Sequence, residues 1–179
     1  MNNEDIGIHI KKIRLEQRRS QQDVADTCGF TKSHLSKIEN GKVIPSLGAL
    51  DKIARALNTR VGLLLGEEVH REVVHNPVDV AENGLIKTAK GYSMFPYASD
   101  YGDKKMQPFL FLSKRNEHKL HTTAHESEEF IYVLEGEMIL KIGTTEYHLK
   151  PGDGLYFNAR YEHQTIPLTD TVKVIDVMV

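Results

Sequence analysis

A chain of 179 residues with 40% apolar residues and a net charge of −2 has the composition of an ordinary globular protein, long enough for one large domain or two small ones. Its single cysteine, Cys28, excludes an intrachain disulfide and fits a reducing compartment. The polar, acidic start lacks a signal-peptide core and no run approaches the ~18 apolar residues of a membrane span, so the expectation is a cytoplasmic protein with no membrane partner. Charge is divided unequally. Residues 1–66 carry eleven Lys/Arg against seven Asp/Glu (+4), and residues 67–179 carry twelve against eighteen (−6). A basic half joined to an acidic one suggests a polyanionic partner for the first half.

In chain order, helical periodicity comes first. Ile6, Ile10 and Ile13, then Leu47, Leu50, Ile53, Ala54 and Leu57, recur at the spacing of one helix face. Starts are marked by Ser20 with Asp23 three residues on, by Thr31, and by Ser46 after Pro45; Gly29 and Gly41 supply stops. The pattern predicts five short helices near 4–18, 21–27, 32–39, 47–57 and 60–65. The last of them, Val61 to Leu65, is almost wholly apolar and closes a small core.

The segment from Ser20 to Gly41 is the informative one. Val24, Ala25, Leu35 and Ile38 point inward, which sets two helices across a tight turn at Gly29, where a positive φ is expected. The second helix then shows Lys32, Ser33, Ser36 and Lys37 on one short, polar, basic face, as entry into a major groove requires. Together with Ile38-Glu39-Asn40-Gly41, Pro45-Ser46-Leu47 and the run from Leu50 to Leu57, this segment resembles the lambda-repressor-like, or XRE-family, helix-turn-helix over about the first 65 residues. The resemblance implies a DNA-contacting set of Gln21, Thr31, Lys32, Ser33, Ser36, Lys37 and Asn40. Within it, Lys32, Ser33 and Lys37 stand where base-reading side chains stand, and Gln21 and Asn40 where backbone-positioning contacts are usual. One such domain binds weakly, so two copies on neighbouring half-sites of a double-stranded operator, and hence a homodimer, are implied. Cys28 reads as core filler beside the turn.

After Gly66 a charged bridge, Glu67 to Pro77, gives way to alternation at strand period. Phe109–Leu112, Phe130–Leu134, Met138–Leu140, Leu155–Phe157 and Val172–Val179 read as strands, with turn signals at Glu135-Gly136, Gly143-Thr144 and Pro151-Gly152-Asp153-Gly154. Many short strands argue a sandwich or small barrel. Two blocks, His125 to Gly136 and Leu149 to His163, resemble the two cupin motifs, with six residues between Glu129 and the turn glycine Gly136 and with His163 following Pro151-Gly152-Asp153.

Cupins commonly hold a divalent metal through three histidines and a glutamate. Here the position of the usual first histidine is Thr123, and what remains is His125, Glu129 and His163, a set that suits non-haem Fe(II) or another divalent ion such as Zn, Ni or Mn. A metal-free reading stands beside it, in which His125 and Glu129 form a plain hydrogen-bonded pair inside the barrel. His121 lies at an offset that does not match the motif, and the other histidines, among them His9, His34, His70, His75, His118 and His148, read as surface residues. Between bridge and first block lie Tyr92 and Tyr97; with Tyr132 and Tyr156 they are candidates to line a ligand pocket, and Lys104, Lys105 or Arg160 could pair with an anionic effector.

The expectation is therefore an α+β multidomain protein: a five-helix lambda-repressor-like helix-turn-helix domain at 1–66, a linker at 67–84, and an all-β cupin barrel (double-stranded β-helix, jelly roll) at 85–179. Its expected role is sequence-specific transcription regulation, without enzymatic activity, controlled by a small-molecule effector in the barrel. The alternative is a mononuclear non-haem iron oxygenase, since the two-domain plan and the His-x-x-x-Glu plus distant His set also resemble the hydroxypropylphosphonate epoxidases.

Overall fold

The computed structural model describes residues 3–67, 73–101 and 104–179. It divides into two compact units, one formed by Met1–His75 with Ala98–Lys104, the other by Asn76–Tyr97 with Lys105–Val179. His70, expected at the surface, lies outside the described residues.

The first unit holds α1 (Asn3–Glu16), α2 (Gln21–Cys28), α3 (Lys32–Glu39), α4 (Leu47–Ala56) and α5 (Val61–Leu64). Ile10, Val24, Ala25, Leu35, Ile38, Ile53, Leu57 and Leu64 interlock as one core. Caps fix where the helices begin. Ser20 and Asp23 form a reciprocal box, Asp23 N–H to Ser20 Oγ and Ser20 N–H to Asp23 Oδ2, both at 3.1 Å. Thr31 Oγ1 accepts from His34 N–H at 3.1 Å to start α3, and Ser46 Oγ accepts from Ala49 N–H at 3.2 Å to start α4. Gly29 ends α2 with φ +69°, a left-handed conformation that costs glycine little. The helix expected over 4–18 ends earlier, at Glu16, because Arg18 takes φ +50°. Gln17 and Arg19 then turn inward to donate to the free carbonyls of Leu57 and Ala56, satisfying the end of α4.

The second unit starts with a short helix, α6 (Val78–Asn83), followed by β1 (Ile86–Lys87), β2 (Tyr92–Pro96), β3 (Gln107–Lys114), β4 (Glu128–Glu135), β5 (Met138–Ile142), β6 (Thr145–Leu149), β7 (Gly154–Asn158), β8 (His163–Pro167) and β9 (Thr171–Met178). Six strands form one sheet in the order β1-β2-β3-β9-β4-β7, and three form another in the order β6-β5-β8. Every described pairing is antiparallel. Between the sheets Ile131, Val133 and Val174 meet Met138 and Leu140, the jelly-roll core. The strict alternation of burial along β4 and β9 puts Glu129, Ile131, Val133 and Val172, Val174, Asp176, Met178 on that inner side. On the outer side, α6 lays Ala81 against Phe95, Leu110 and Ile175.

Candidate DNA-reading face and metal centre

On α3, Lys32, Ser33, Ser36, Lys37 and Asn40 fall on one side, opposite the buried Leu35 and Ile38. Lys32, Ser33, Lys37 and Asn40 are exposed, as is the capping Thr31, while Ser36 is half-buried. Asn40 ends the helix by donating from Nδ2 to the Ser36 carbonyl at 2.7 Å. Gln21, at the start of α2, donates from Nε2 to Glu39 Oε2 at 2.7 Å, which ties the first turn of α2 to the last turn of α3.

Beneath that link lies a buried ion pair with no signal in the apolar pattern. Arg14 reaches from α1 to Glu39 with both Nε (2.6 Å) and Nη2 (2.9 Å), and spends Nη1 on the Arg19 carbonyl at 2.8 Å. Both side chains are almost fully buried, so the fork-to-carboxylate geometry holds α3 at a fixed tilt against α1. A pairing 25 residues apart in sequence is invisible until the chain folds.

In the second unit, β4 carries Glu129, β8 begins at His163, and the segment before β4 carries Thr123 and His125. A lone antiparallel bridge joins Thr123 to His163 and brings that segment over the barrel. His125 Nε2 lies 2.7 Å from Glu129 Oε1, and His163 Nε2 lies 3.8 Å from Glu129 Oε2. One ligand atom from each of the three lies within 4.8 Å of the others. The backs of both rings are engaged. His163 Nδ1 faces the Tyr161 carbonyl at 3.0 Å, which can only accept, so this nitrogen carries the hydrogen and the neutral ring keeps its lone pair on Nε2. His125 Nδ1 lies 3.1 Å from Ser127 Oγ, a hydroxyl that can donate or accept and so supports either tautomer. Two imidazole nitrogens and a carboxylate, converging and backed by hydrogen bonds, fit a divalent cation by donor type and spacing. His121 stays out of the set; its Nδ1 faces the Lys119 carbonyl at 2.8 Å.

The aromatic residues divide differently from expectation. Tyr92 pairs in register with Ser113 on the inner side and meets the Phe111 ring edge-on. Tyr132 and Tyr156 do not line the interior: the alternation that turns Glu129 and Ile131 inward turns Tyr132 outward, and Tyr156, opposite Phe130, follows it. Tyr97 joins Phe95 in the outer cluster under α6. Arg160 sits at the surface 3.9 Å from Glu126.

His118, expected at the surface, is half-buried, and its ring stands with those of Tyr92 and His121, centroids 6.3 and 5.8 Å away. Burial first, and then the charge of His121, hold His118 below the usual imidazole value; burial likewise lowers His121. The lowered values follow from a fold that turns this loop back over Tyr92, which nothing in the local sequence announces.

Residues 10–64 match the HTH_3 helix-turn-helix family and residues 111–178 match the Cupin_2 cupin family. The HTH-type transcriptional regulator PuuR of Escherichia coli is 28% identical over 160 residues, 88% of this chain and 84% of its own. SinR of Bacillus subtilis, another HTH-type transcriptional regulator, is 38% identical over 85 residues, 47% of this chain and 76% of its own. Among solved structures, hydroxypropylphosphonic acid epoxidase from S. wedmorenis superposes over 99% of this chain and 98% of its own, with a TM-score of 0.51 at 21% identity, a likeness of fold. With its capped, outward-facing α3 and its jelly-roll barrel, the chain belongs to the HTH_3 family of helix-turn-helix transcriptional regulators and carries a cupin domain behind the helical one.

Proposed function

We propose that this protein is a cytoplasmic, sequence-specific DNA-binding regulator whose barrel receives the controlling signal. In this reading residues 1–66 read DNA, 67–84 connect, and 85–179 sense. The observation that carries it is the α3 face: Lys32, Ser33 and Lys37 stand free at the surface while Arg14 and Glu39 lock the helix from behind. Lys32, Ser33 and Lys37 read base edges, Ser36 and the capping Thr31 support them, and Gln21 and Asn40 contact the phosphate backbone. Two copies act together on adjacent half-sites.

The signal is a small molecule, a divalent ion, or both, taken up among Tyr92, His125, Glu129 and His163. When bound, the ion would be held by His125, Glu129 and His163 and would supply a fixed positive charge at the barrel mouth. It changes DNA affinity only insofar as it binds the two DNA-binding states unequally.

The test is operator selection from a random library, followed by binding titration across salt. Lys37→Ala is expected to weaken the selected operator by about 1–3 kcal/mol and to relax the preference at the base it contacts. Operator affinity unchanged in both Lys32→Ala and Lys37→Ala would remove α3 from the reading role.

A second reading is favoured by one observation, the three-donor cluster with a threonine in the remaining position: a mononuclear iron oxygenase like the epoxidase whose fold the chain shares. That reading requires about one iron per chain retained through purification, lost in His163→Ala, and turnover of a small phosphonate. Iron retention without turnover would leave the regulator reading in place.

A further inference from the structure

The outer side of the six-stranded sheet is covered over one half. Above β2, β3 and β9 lies α6, with Ala81 against Phe95, Leu110 and Ile175. Over β4 and β7, among the described residues, the face is open. Phe130, Tyr132 and Leu134 project outward at successive alternate positions of β4, 39%, 39% and 45% exposed, and Tyr156, opposite Phe130 on β7, is 64% exposed. Gly154, opposite Tyr132, leaves room for the neighbouring rings: a Cβ there would stand 3.1 Å from the Phe130 ring and 3.7 Å from that of Tyr132. The result is a platform of three aromatics and a leucine. Contiguous apolar patches of this kind mark interfaces.

We propose that this platform is the contact surface between two copies of the chain, packed face to face about a two-fold axis that lies in the interface and runs along β4 near Tyr132, so that the α6-covered half of each copy lies toward the β7 edge of the other. The inference rests on the regulator reading, which needs a second copy for the second half-site. The area suits it. The four side chains leave on the order of 400 Å² exposed per chain, about half of the ~800 Å² each partner contributes to a standard interface, with polar neighbours supplying the rim.

The experiment is sedimentation of the full chain without DNA, from low to high micromolar concentration. Wild-type protein is expected at twice the chain mass of 20.3 kDa. The Tyr132→Lys, Leu134→Glu variant is expected to sediment as a monomer, its dissociation constant raised by at least about 100-fold, with an unchanged circular dichroism spectrum, since both residues are solvent-facing. A wild-type monomer throughout would overturn the proposal and assign the platform to a different protein. So would a variant that stays dimeric.

Cross-linking adds a geometric readout. Cys28, the native cysteine, is buried, so oxidation of Tyr132→Cys reports only on contact at position 132. Covalent dimers are expected there and not in Glu146→Cys on β6; equal cross-linking at both positions would overturn the assignment. Because mass is read without DNA, failure of operator binding leaves this result standing. Operator binding by a monomer would refute the interface alone.

Discussion

Thr123 Oγ1 lies 2.8 Å from His163 Nε2, the nitrogen that faces Glu129. With the His163 Nδ1 hydrogen pointing at the Tyr161 carbonyl, the Thr123 hydroxyl is the donor and Nε2 the acceptor. The hydroxyl therefore occupies the lone pair that a metal would need. Removing a hydrogen bond of about 1–1.5 kcal/mol should strengthen metal binding about tenfold. Thr123→Val is expected to bind Zn(II) or Co(II) about tenfold more tightly in calorimetric titration, and Thr123→His more tightly again through an added imidazole. Weaker binding by Thr123→Val would mean that the hydroxyl orients His163 instead of competing for it.

The buried Arg14–Glu39 pair makes the helical unit sensitive to single substitutions. Arg14→Ala leaves the Glu39 carboxylate in the core with, among the described residues, Gln21 as its remaining side-chain partner, a loss expected to cost about 3–5 kcal/mol. The double replacement Arg14→Met, Glu39→Met removes both charges and should recover much of that loss. Urea denaturation of the three proteins measures it. Equal destabilisation by the single and double variants would mean that packing volume, and not the uncompensated charge, sets the cost.

The helical half was legible because its rules are local. Ser20, Thr31 and Ser46 cap in the structure where their side-chain oxygens suggested, and Gly29 takes the positive φ its place in the turn required. The β half was legible only where strands are apolar. β6 (Thr145–Leu149) is exposed along most of its length and β8 (His163–Pro167) is rich in polar residues, so neither carries the hydrophobic alternation that marks a half-buried strand. The convergence of His125, Glu129 and His163 was implied by the resemblance to the cupin motifs, whereas Tyr132 and Tyr156 face outward because alternation from Glu129 turns Tyr132, and with it the neighbouring β7 residue, away from the interior. The Arg14–Glu39 pair and the stacking of His118 and His121 beside Tyr92 depend on tertiary approach alone.

Cys28 should be chemically quiet. Its sulfur faces the Lys52 carbonyl at 3.7 Å, and burial pushes the thiol up to about 11 despite the opposing charges of Arg19 and Lys52. Because the thiolate is the reactive form, alkylation by iodoacetamide at pH 8 should run at least about 100-fold slower in the native protein than in denaturant. Fast native labelling followed by mass spectrometry would show that α2 opens readily, and would count against a rigid turn before α3.

The two lowered imidazoles should make the barrel sensitive to mild acid. Burial holds His118 and His121 below the ordinary 6.5, so between their folded values and 6.5 the unfolded chain binds more protons than the folded one. Stability is then intact at pH 7 and falls as pH drops below about 6.5, the reverse of what a histidine with a raised value would give. Denaturation midpoints between pH 7.5 and 5.5 should decline in the wild type and decline less in His118→Gln and in His121→Gln. His121 stacks on Tyr92 with centroids 6.0 Å apart, so its replacement also tests whether the ring is held by that contact. Parallel curves for all three proteins would assign any acid sensitivity to other groups.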